Sequence, residues 1–287
     1  MKKLIFTILV QVLVLGLFAQ KASDSSNQSG LKKAPWFVER FKIGAGFFAP
    51  VNNTAIRLSA SNGNIGTNID FENDLGFEKT TNTFAAHIEW RSSRRSRFDL
   101  EYYQLNRKST KTIQRTIQFG DDIYNVNANI SSFFNNSVYR FSWGYALLSK
   151  PKAELGLQLG IHTMQSSIGI ALAAGGVGVG ASEDFGFTAP LPNLGIWGGY
   201  ALSNRLALKG DFSYLSLNTG EVNGKIVSYQ AALVYRMLPK FDVTVGYSGF
   251  DFNIDATADK RSVGISWGYN GPSITLNYSF GKNRWAH

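Results

Sequence analysis

"TFAAHIEWRSSRRSRFDLEYYQL", residues 83–105, consists of two alternating runs joined by a basic turn, and each run has two faces of opposite character. Phe84, Ala86, Ile88 and Trp90 share one face of the first run, with Ala85, His87 and Glu89 on the other. After "RSSRRSR" (91–97), Phe98, Leu100 and Tyr102 oppose Asp99, Glu101 and Tyr103. Side chains of a strand point alternately to opposite sides, so each run reads as a strand with one apolar and one polar face. The rule returns downstream. Tyr139, Phe141, Trp143 and Tyr145 oppose Arg140, Ser142 and Gly144, and Leu155, Leu157, Leu159 and Ile161 oppose Glu154, Gln158 and His162. Leu206, Leu208 and Phe212 likewise oppose Lys209 and Asp211, and Phe241, Val243 and Val245 oppose Asp242 and Thr244.

Alternation alone fits a soluble sandwich as well as a membrane barrel, so turns and arm lengths must decide. From Trp36 onward no helical stripe interrupts the pattern, and two kinds of turn follow each other in strict order. "RSSRRSR" at 91, "SKPK" at 149, "LSNR" at 202 and "MLPK" at 237 are short and basic. Between them lie Gly-, Asn- and Asp-rich turns, often longer: "SNGNIG" at 61, "FGDD" at 119, "AAGGVGVG" at 173, "NTGEVNGK" at 218 and "NIDATADK" at 253. Short turns on one side and longer loops on the other mark a membrane barrel with its short turns in the periplasm. The arms reach about 20 residues, against about 5–6 for an average soluble strand. Since a tilted strand crosses a bilayer in about 9–11 residues, much of each arm must project beyond it. Five hairpins give the predicted fold class: all-β, a transmembrane antiparallel up-and-down β-barrel of about ten strands, with eight and twelve as the neighbouring counts. The hairpin over residues 107–136 carries polar groups on both faces and is expected to rise above the outer leaflet.

The ends of the chain agree with this location. "MKKLIFTILVQVLVLGLFAQK" has a basic start, an apolar run and an abruptly polar sequel, the build of a secretory signal peptide over residues 1–20. Residues 21–35 form a Ser-, Lys- and Asn-rich leader expected to be disordered in the periplasm, followed by the barrel over 36–281 and a short tail over 282–287. The chain has no cysteine, which excludes a disulfide framework and a lipoprotein anchor. Its formal charge of +9 is scattered, apart from "RSSRRSR", which reads as a solvated turn near anionic headgroups. No basic groove with interleaved aromatics is visible, so nucleic acid is not an expected partner.

"GTNIDFENDLGF", "IQFGDDIY", "TAPLPNLGIWGGYALSNRLALKG" and "WGYNGPSITLNYSF" together resemble a family of uncharacterised outer-membrane β-barrel proteins of Gram-negative bacteria, small barrels of OmpA-like or porin-like build. The resemblance spans nearly the whole chain after the signal and implies fold and place, but no activity. The last strand, with Leu276, Tyr278 and Phe280 on one face, is similar to the aromatic-terminated strand that the barrel-insertion machinery recognises; "GKNRWAH" beyond it departs from that pattern.

Within such a barrel, inward charges must pair, because isolated buried charges are costly. The expected polar core of the lumen is His87, Glu89, Asp99, Glu101, Arg140, Glu154, His162, Lys209, Asp211 and Asp242, thinned by inner glycines at 156, 160, 246, 264 and 268. No catalytic residue, metal ligand or cofactor is assigned. "DFNIDATADK" fails the EF-hand pattern, with Ala256 at the glycine position and Ser262 in place of the glutamate, and reads as a polar loop. "GGVGVG" lacks the helix and lysine of a phosphate loop, and "TAPLPN" places Pro190 and Pro192 inside an arm, which points to a bulge or bend. The expected function is that of a largely plugged outer-membrane barrel with a structural or surface-interaction role. Its expected partners are outer-membrane lipid and lipopolysaccharide, the insertion machinery and an extracellular ligand. A narrow channel for small polar solutes and a lipid-modifying enzyme built on His87 with Glu89 and Ser142 are the alternatives.

Overall fold

A computed structural model describes residues 34–59, 66–173, 182–218, 222–258 and 261–281. The signal, most of the leader, the tail from 282 and the "GGVGVG" tip lie outside the described residues. The strands in chain order are β1 (Phe41–Phe48), β2 (Val51–Leu58), β3 (Ile69–Asp70), β4 (Thr83–Arg91), β5 (Ser96–Thr112), β6 (Ile117–Phe119) and β7 (Asp122–Tyr124). They continue as β8 (Asn129–Ser149), β9 (Ala153–Leu172), β10 (Ser182–Ala201), β11 (Leu206–Asn218), β12 (Val222–Leu238), β13 (Phe241–Ala258) and β14 (Arg261–Phe280). Antiparallel neighbours run β1-β4-β5-β8-β9-β10-β11-β12-β13-β14, and β14 returns to β1 from Phe41↔Phe280 to Phe48↔Ser273, closing a ten-stranded ring. The first wall strand is broken at Ala49 and Pro50, after which β2 climbs the rest of β14 from Val51↔Asn270 to Leu58↔Val263. Proline lacks the donor a continuous ladder needs, so the break falls there.

The outward rows define a lipid belt. On β8 they read Tyr145, Trp143, Phe141 and Tyr139, then Ser137 and Asn135; on β9, Leu155, Leu157, Leu159 and Ile161, then Thr163 and Gln165. The same change occurs after Tyr102 on β5, Leu194 on β10, Tyr214 on β11 and Tyr247 on β13. Four outward rows extend about 20 Å along a strand and, at a tilt of about 35–45°, cover about 15–17 Å of height, the larger part of the ~25 Å apolar band of outer-membrane barrels. Aromatic residues rim the periplasmic edge, where Phe41 stacks on Phe280 at 5.2 Å and Trp90 on Phe98 at 5.1 Å. The belt edge makes a prediction. Ile88→Arg puts a charge against lipid and should cost about 2–4 kcal/mol, whereas Ser137→Arg, also outward but above the edge, should stay within about 0.5 kcal/mol. Urea titrations of the two variants in bilayers, read by heat-dependent gel mobility, separate them.

Below that edge the interior is polar, and above it the faces exchange roles. Tyr103, Leu105, Phe134, Val138, Met164, Ile168, Phe250, Phe252, Ile265, Trp267 and Tyr269 point inward and are buried, beneath outward Asn106, Lys108, Gln165, Asn253 and Asn270. Above the membrane the barrel is therefore built like a soluble β-protein, with its apolar face inside. The expectation that hairpin 107–136 is polar on both faces is corrected here. Ile113, Ile117, Phe119, Tyr124 and Ile130 are buried, and the hairpin tip, paired as β6–β7, folds over the barrel mouth. "GTNIDFENDLGF" does the same from the first loop, inserting Ile69, Phe71, Leu75 and Phe77. Its turn is held by Asp70, whose Oδ1 accepts from the Asn73 N–H at 2.8 Å, and by Gly76, whose φ of 74° lies in the left-handed region that glycine alone enters freely.

Two further expectations change. Gly264 and Gly268 pair with Asp255 and Asp251 on the outer face, so of the five glycines only 156, 160 and 246 line the lumen. "DFNIDATADK" is largely the upper end of β13, with Asp251, Asn253 and Asp255 outward and Arg57 bonded to Asp255 at 3.1 Å; Asp259 lies outside the described residues.

Candidate functional site

The inward faces of β4, β5, β8, β9, β11 and β13 bring all ten residues expected in the lumen into one polar storey. Glu89 receives Arg91 Nε at 2.9 Å and Lys209 Nζ at 3.1 Å. Glu154 is gripped by both terminal nitrogens of Arg91, at 2.6 and 3.0 Å. Arg140 bridges Glu101, at 3.4 Å, and Asp211. Asp242 holds Lys42 at 2.7 Å and accepts from Asn277. Arg97 Nε lies 3.1 Å from Asp99 Oδ2 in a charge contact without hydrogen-bond alignment, and the same guanidinium sits 3.7 Å over the Trp197 ring. His162 Nδ1 meets Asn193 Nδ2 at 2.7 Å, and its ring lies 4.9 Å from Phe250. His87 stands opposite Gly44, where an added Cβ would come within 2.3 Å of the imidazole and closer still to Asn277 Oδ1, so these two side chains fill the space that a side chain at 44 would need.

Among the described residues, five cations (Lys42, Arg91, Arg97, Arg140, Lys209) thus face six carboxylates (Glu89, Asp99, Glu101, Glu154, Asp211, Asp242). Lys42, Arg91, Arg97 and Asn277 complete the network and lie outside the sequence expectation, while Gln158, expected on the polar face of its strand, joins it at 3.4 Å from Arg97. The sequence alone places Arg91 and Arg97 in a solvated turn. They are instead the inward ends of β4 and β5 and are buried, the turn itself being residues 92–95. Parity carries the missed signal: Arg91 follows Glu89 by two, and Arg97 precedes Asp99 by two.

A cavity of about 170 Å³ remains in this storey, bordered by His87, Glu101, Arg140, Asp211, Ser228 and Tyr269. Its size and polar lining suit a few ordered waters. Ser142 lies across the ladder from Asp99 and Gly160, while the His162 ring is engaged by Asn193.

Both ends of the chamber are stoppered. At the periplasmic mouth Ala34, Trp36, Phe37 and Val38 pack against Ala201, Ala207 and Val234. Trp36 Nε1 donates to Ser203 O at 2.8 Å, Arg236 donates to Trp36 O at 2.6 Å, and the Arg236 guanidinium lies 4.3 Å over the indole. A Cβ on Gly199 would come within 2.8 Å of the Phe37 ring, so the stopper fits a glycine notch. Ala34 and Pro35 thus belong to this stopper rather than to a disordered leader, and Trp36 to Val38 plug the barrel rather than begin its first strand.

At the other end the Tyr103 and Tyr269 hydroxyls bond to each other beneath the apolar storey, in which Trp267 packs edge-on against Phe134 at 5.8 Å and Phe252 at 6.1 Å. Within that storey Arg107 pairs with Glu72 at 2.5 Å, and Glu72 also accepts the Thr54 N–H at 2.9 Å. The lid is fastened to the first loop by Arg115 Nε to Asp74 at 3.0 Å and by Lys111 Nζ to Asn73 O at 2.6 Å. Burial works to raise the Asp74 carboxyl, but the Arg115 hydrogen bond, the Asp70 N–H and the nearby cations together hold it below its ordinary value.

No protein-family model matches the chain, and no curated protein matches it. Solved structures do. The chain is similar to the outer-membrane protease OmpT from Escherichia coli, with 12% identity and a TM-score of 0.55 over 85% of this chain and 98% of that one. The translocator domain of the autotransporter NalP from Neisseria meningitidis has 10% identity and a TM-score of 0.42, over 96% and 98% of the two chains. The outer-membrane protein OprG from Pseudomonas aeruginosa has 10% identity and a TM-score of 0.37, over 88% and 99%. The OmpT likeness is one of fold. With a closed ring and a lipid belt, the chain is an integral outer-membrane β-barrel.

Proposed function

We propose that the protein is a sealed barrel that acts through its outward surfaces and not by conduction through its lumen. The observation that carries this reading is the pair of stoppers, Phe37 below and the Trp267 storey above, with the ion-paired chamber between them. A ring of ten strands is already narrow beside porins of about 16–18 strands. Interior ion pairs cross-link facing walls, and this supports a structural role. Surface interaction falls to the upper walls, where Lys108, Thr110, Ser131 and Asn135 face outward, and the folded-down hairpin tip presents Ile123 and Val126 to solvent. Leu276, Tyr278 and Phe280 lie outward beside the β14–β1 closure, where an insertion machinery would read the last strand before the ring shuts.

Planar-bilayer recording of the purified full chain tests the reading. No stepwise ohmic conductance is expected from the native protein, nor from Phe37→Gly, in which the upper stopper persists. Stable conductance steps from the native protein would replace this reading with the narrow channel.

A further inference from the structure

The barrel wall is not paired to its full height. β9 and β10 pair from Ala153↔Tyr200 up to Ala171↔Ser182, and β11 and β12 from Leu206↔Tyr235 up to Asn218↔Asn223. Between them, β10 and β11 pair only from Ala201↔Ala207 to Leu194↔Tyr214, although β10 begins as high as Ser182 and β11 runs on to Asn218. The ladder stops at the last outward apolar row, level with the upper edge of the lipid belt.

Pro190 and Pro192 stand where it stops. The Ala201 N–H points toward β9, donating to Lys152 O, and donor direction alternates along a strand, so the even positions of β10 face β11. Continued in register, Pro192 would meet Ser216 and Pro190 would meet Asn218, the positions at which β11 could still have been zipped. Both lack the donor. Behind this seam Leu191 and Ile226 are buried and Phe187 packs on the apolar storey, while Leu217, on the inward face of β11, is 47% exposed. Residues 187–194 and 212–218 contain no charged side chain.

We propose that the β10–β11 seam is a lateral mouth that admits an acyl chain of an outer-leaflet lipid to the apolar storey. An acyl chain suits it on three counts. The mouth is continuous with the lipid belt at Leu194 and Tyr214; its lining is uncharged, with Leu191 and Leu217 on the inward faces; and an acyl chain needs no hydrogen bonds from the β10 edge, which lacks the donors at 190 and 192. A guest β-strand, the other occupant of an open edge, would lose two ladder bonds at the same prolines. This goes beyond the sealed-lumen reading, since the mouth opens sideways above the polar chamber and adds no path across the membrane.

Photo-crosslinking tests it. The full chain is reconstituted in phosphatidylethanolamine vesicles doped with a phosphatidylcholine bearing a diazirine midway along one acyl chain, and adducts are mapped by mass spectrometry. Adducts are expected at Leu215 and Leu217 as well as at belt residues such as Leu208 and Phe212. A headgroup-diazirine lipid should leave Leu215 and Leu217 unmarked. In Pro190→Thr/Pro192→Thr, which restores both donors on outward positions, Leu217 labelling should fall roughly tenfold or more, as two added ladder hydrogen bonds would shift an open–closed equilibrium, with belt labelling unchanged. Adducts confined to the belt in the native protein overturn the proposal, as does equal Leu217 labelling in the double variant. So does a native dimer joined through β10 that leaves Leu217 unlabelled. If the double variant fails to assemble, the comparison of acyl and headgroup probes on the native chain still decides.

Discussion

Replacing Arg91 by methionine is expected to destabilise the barrel by about 3–5 kcal/mol, the usual consequence of removing one partner from a buried charge cluster. Arg91 is fully buried and joins Glu89 on its own strand to Glu154 on β9. Methionine fills most of the volume, so the loss is electrostatic: Glu154 is left in the barrel interior without the guanidinium that grips both its oxygens. Glu89 fares better, because Lys209 remains 3.1 Å away. Adding Glu154→Gln to Arg91→Met should therefore recover part of the loss, since the stranded charge is gone. Equilibrium unfolding in urea, followed by heat-dependent gel mobility, gives both numbers. If the double variant is no more stable than Arg91→Met alone, the cluster does not act through charge.

The second large effect concerns the lid. Phe119→Ala should cost about 3–5 kcal/mol, the transfer and cavity terms of a fully buried aromatic. Replacing residues 113–128 by a short turn should go further, removing Ile113, Ile117, Phe119 and Tyr124 from the storey, along with the Tyr124 hydroxyl that donates to Ile170 O at 2.7 Å. The belt half, held by its own ion pairs, should still insert and still shift on unheated gels. The uncovered storey should bind an apolar dye and become cleavable in the upper arms of β5 and β8. Were the hairpin a free polar arm, as its charges alone imply, shortening it would leave protease resistance and dye binding unchanged.

The two halves of the barrel differ in how far the sequence reveals them. Below the belt edge every arm obeys one rule, so the ring of ten and the inward placement of His87, Glu89, Arg140 and Asp211 follow from period-two reading. Above it the apolar residues change sides, and a reading that keeps the lower rule finds polar groups apparently everywhere. The change is nevertheless written in the chain. Where an outward apolar row ends and an inward one begins, two apolar residues must be neighbours: Tyr102 with Tyr103 on β5, and Val138 with Tyr139 on β8. The stopper Trp36, Phe37, Val38 breaks alternation in the same way, with three apolar residues in a row, which is what a segment packed inside the ring requires. By contrast, nothing local to "RSSRRSR" separates the buried Arg91 and Arg97 from Arg94 and Arg95; only the registry with Glu89 and Asp99 does. The lateral seam was out of reach, because it is an absence of pairing between two arms, each of which looks regular, with Pro190 and Pro192 as its one local sign.

The exchange of faces at the belt edge is open to direct measurement, and the absence of native cysteine makes it clean. Single cysteines would be placed at Ser137, Gln165 and Asn253, outward and above the edge; at Phe141, Leu157 and Leu276, outward and below it; and at Phe134 and Phe252, above it but inward. Intact cells are then treated with a membrane-impermeant maleimide. The two-storey barrel predicts labelling at Ser137, Gln165 and Asn253, with both other groups protected. Labelling at Phe134 and Phe252 as strong as at Ser137 would contradict it, because the upper half would then be a water-filled continuation of the lumen and not an apolar storey that excludes water.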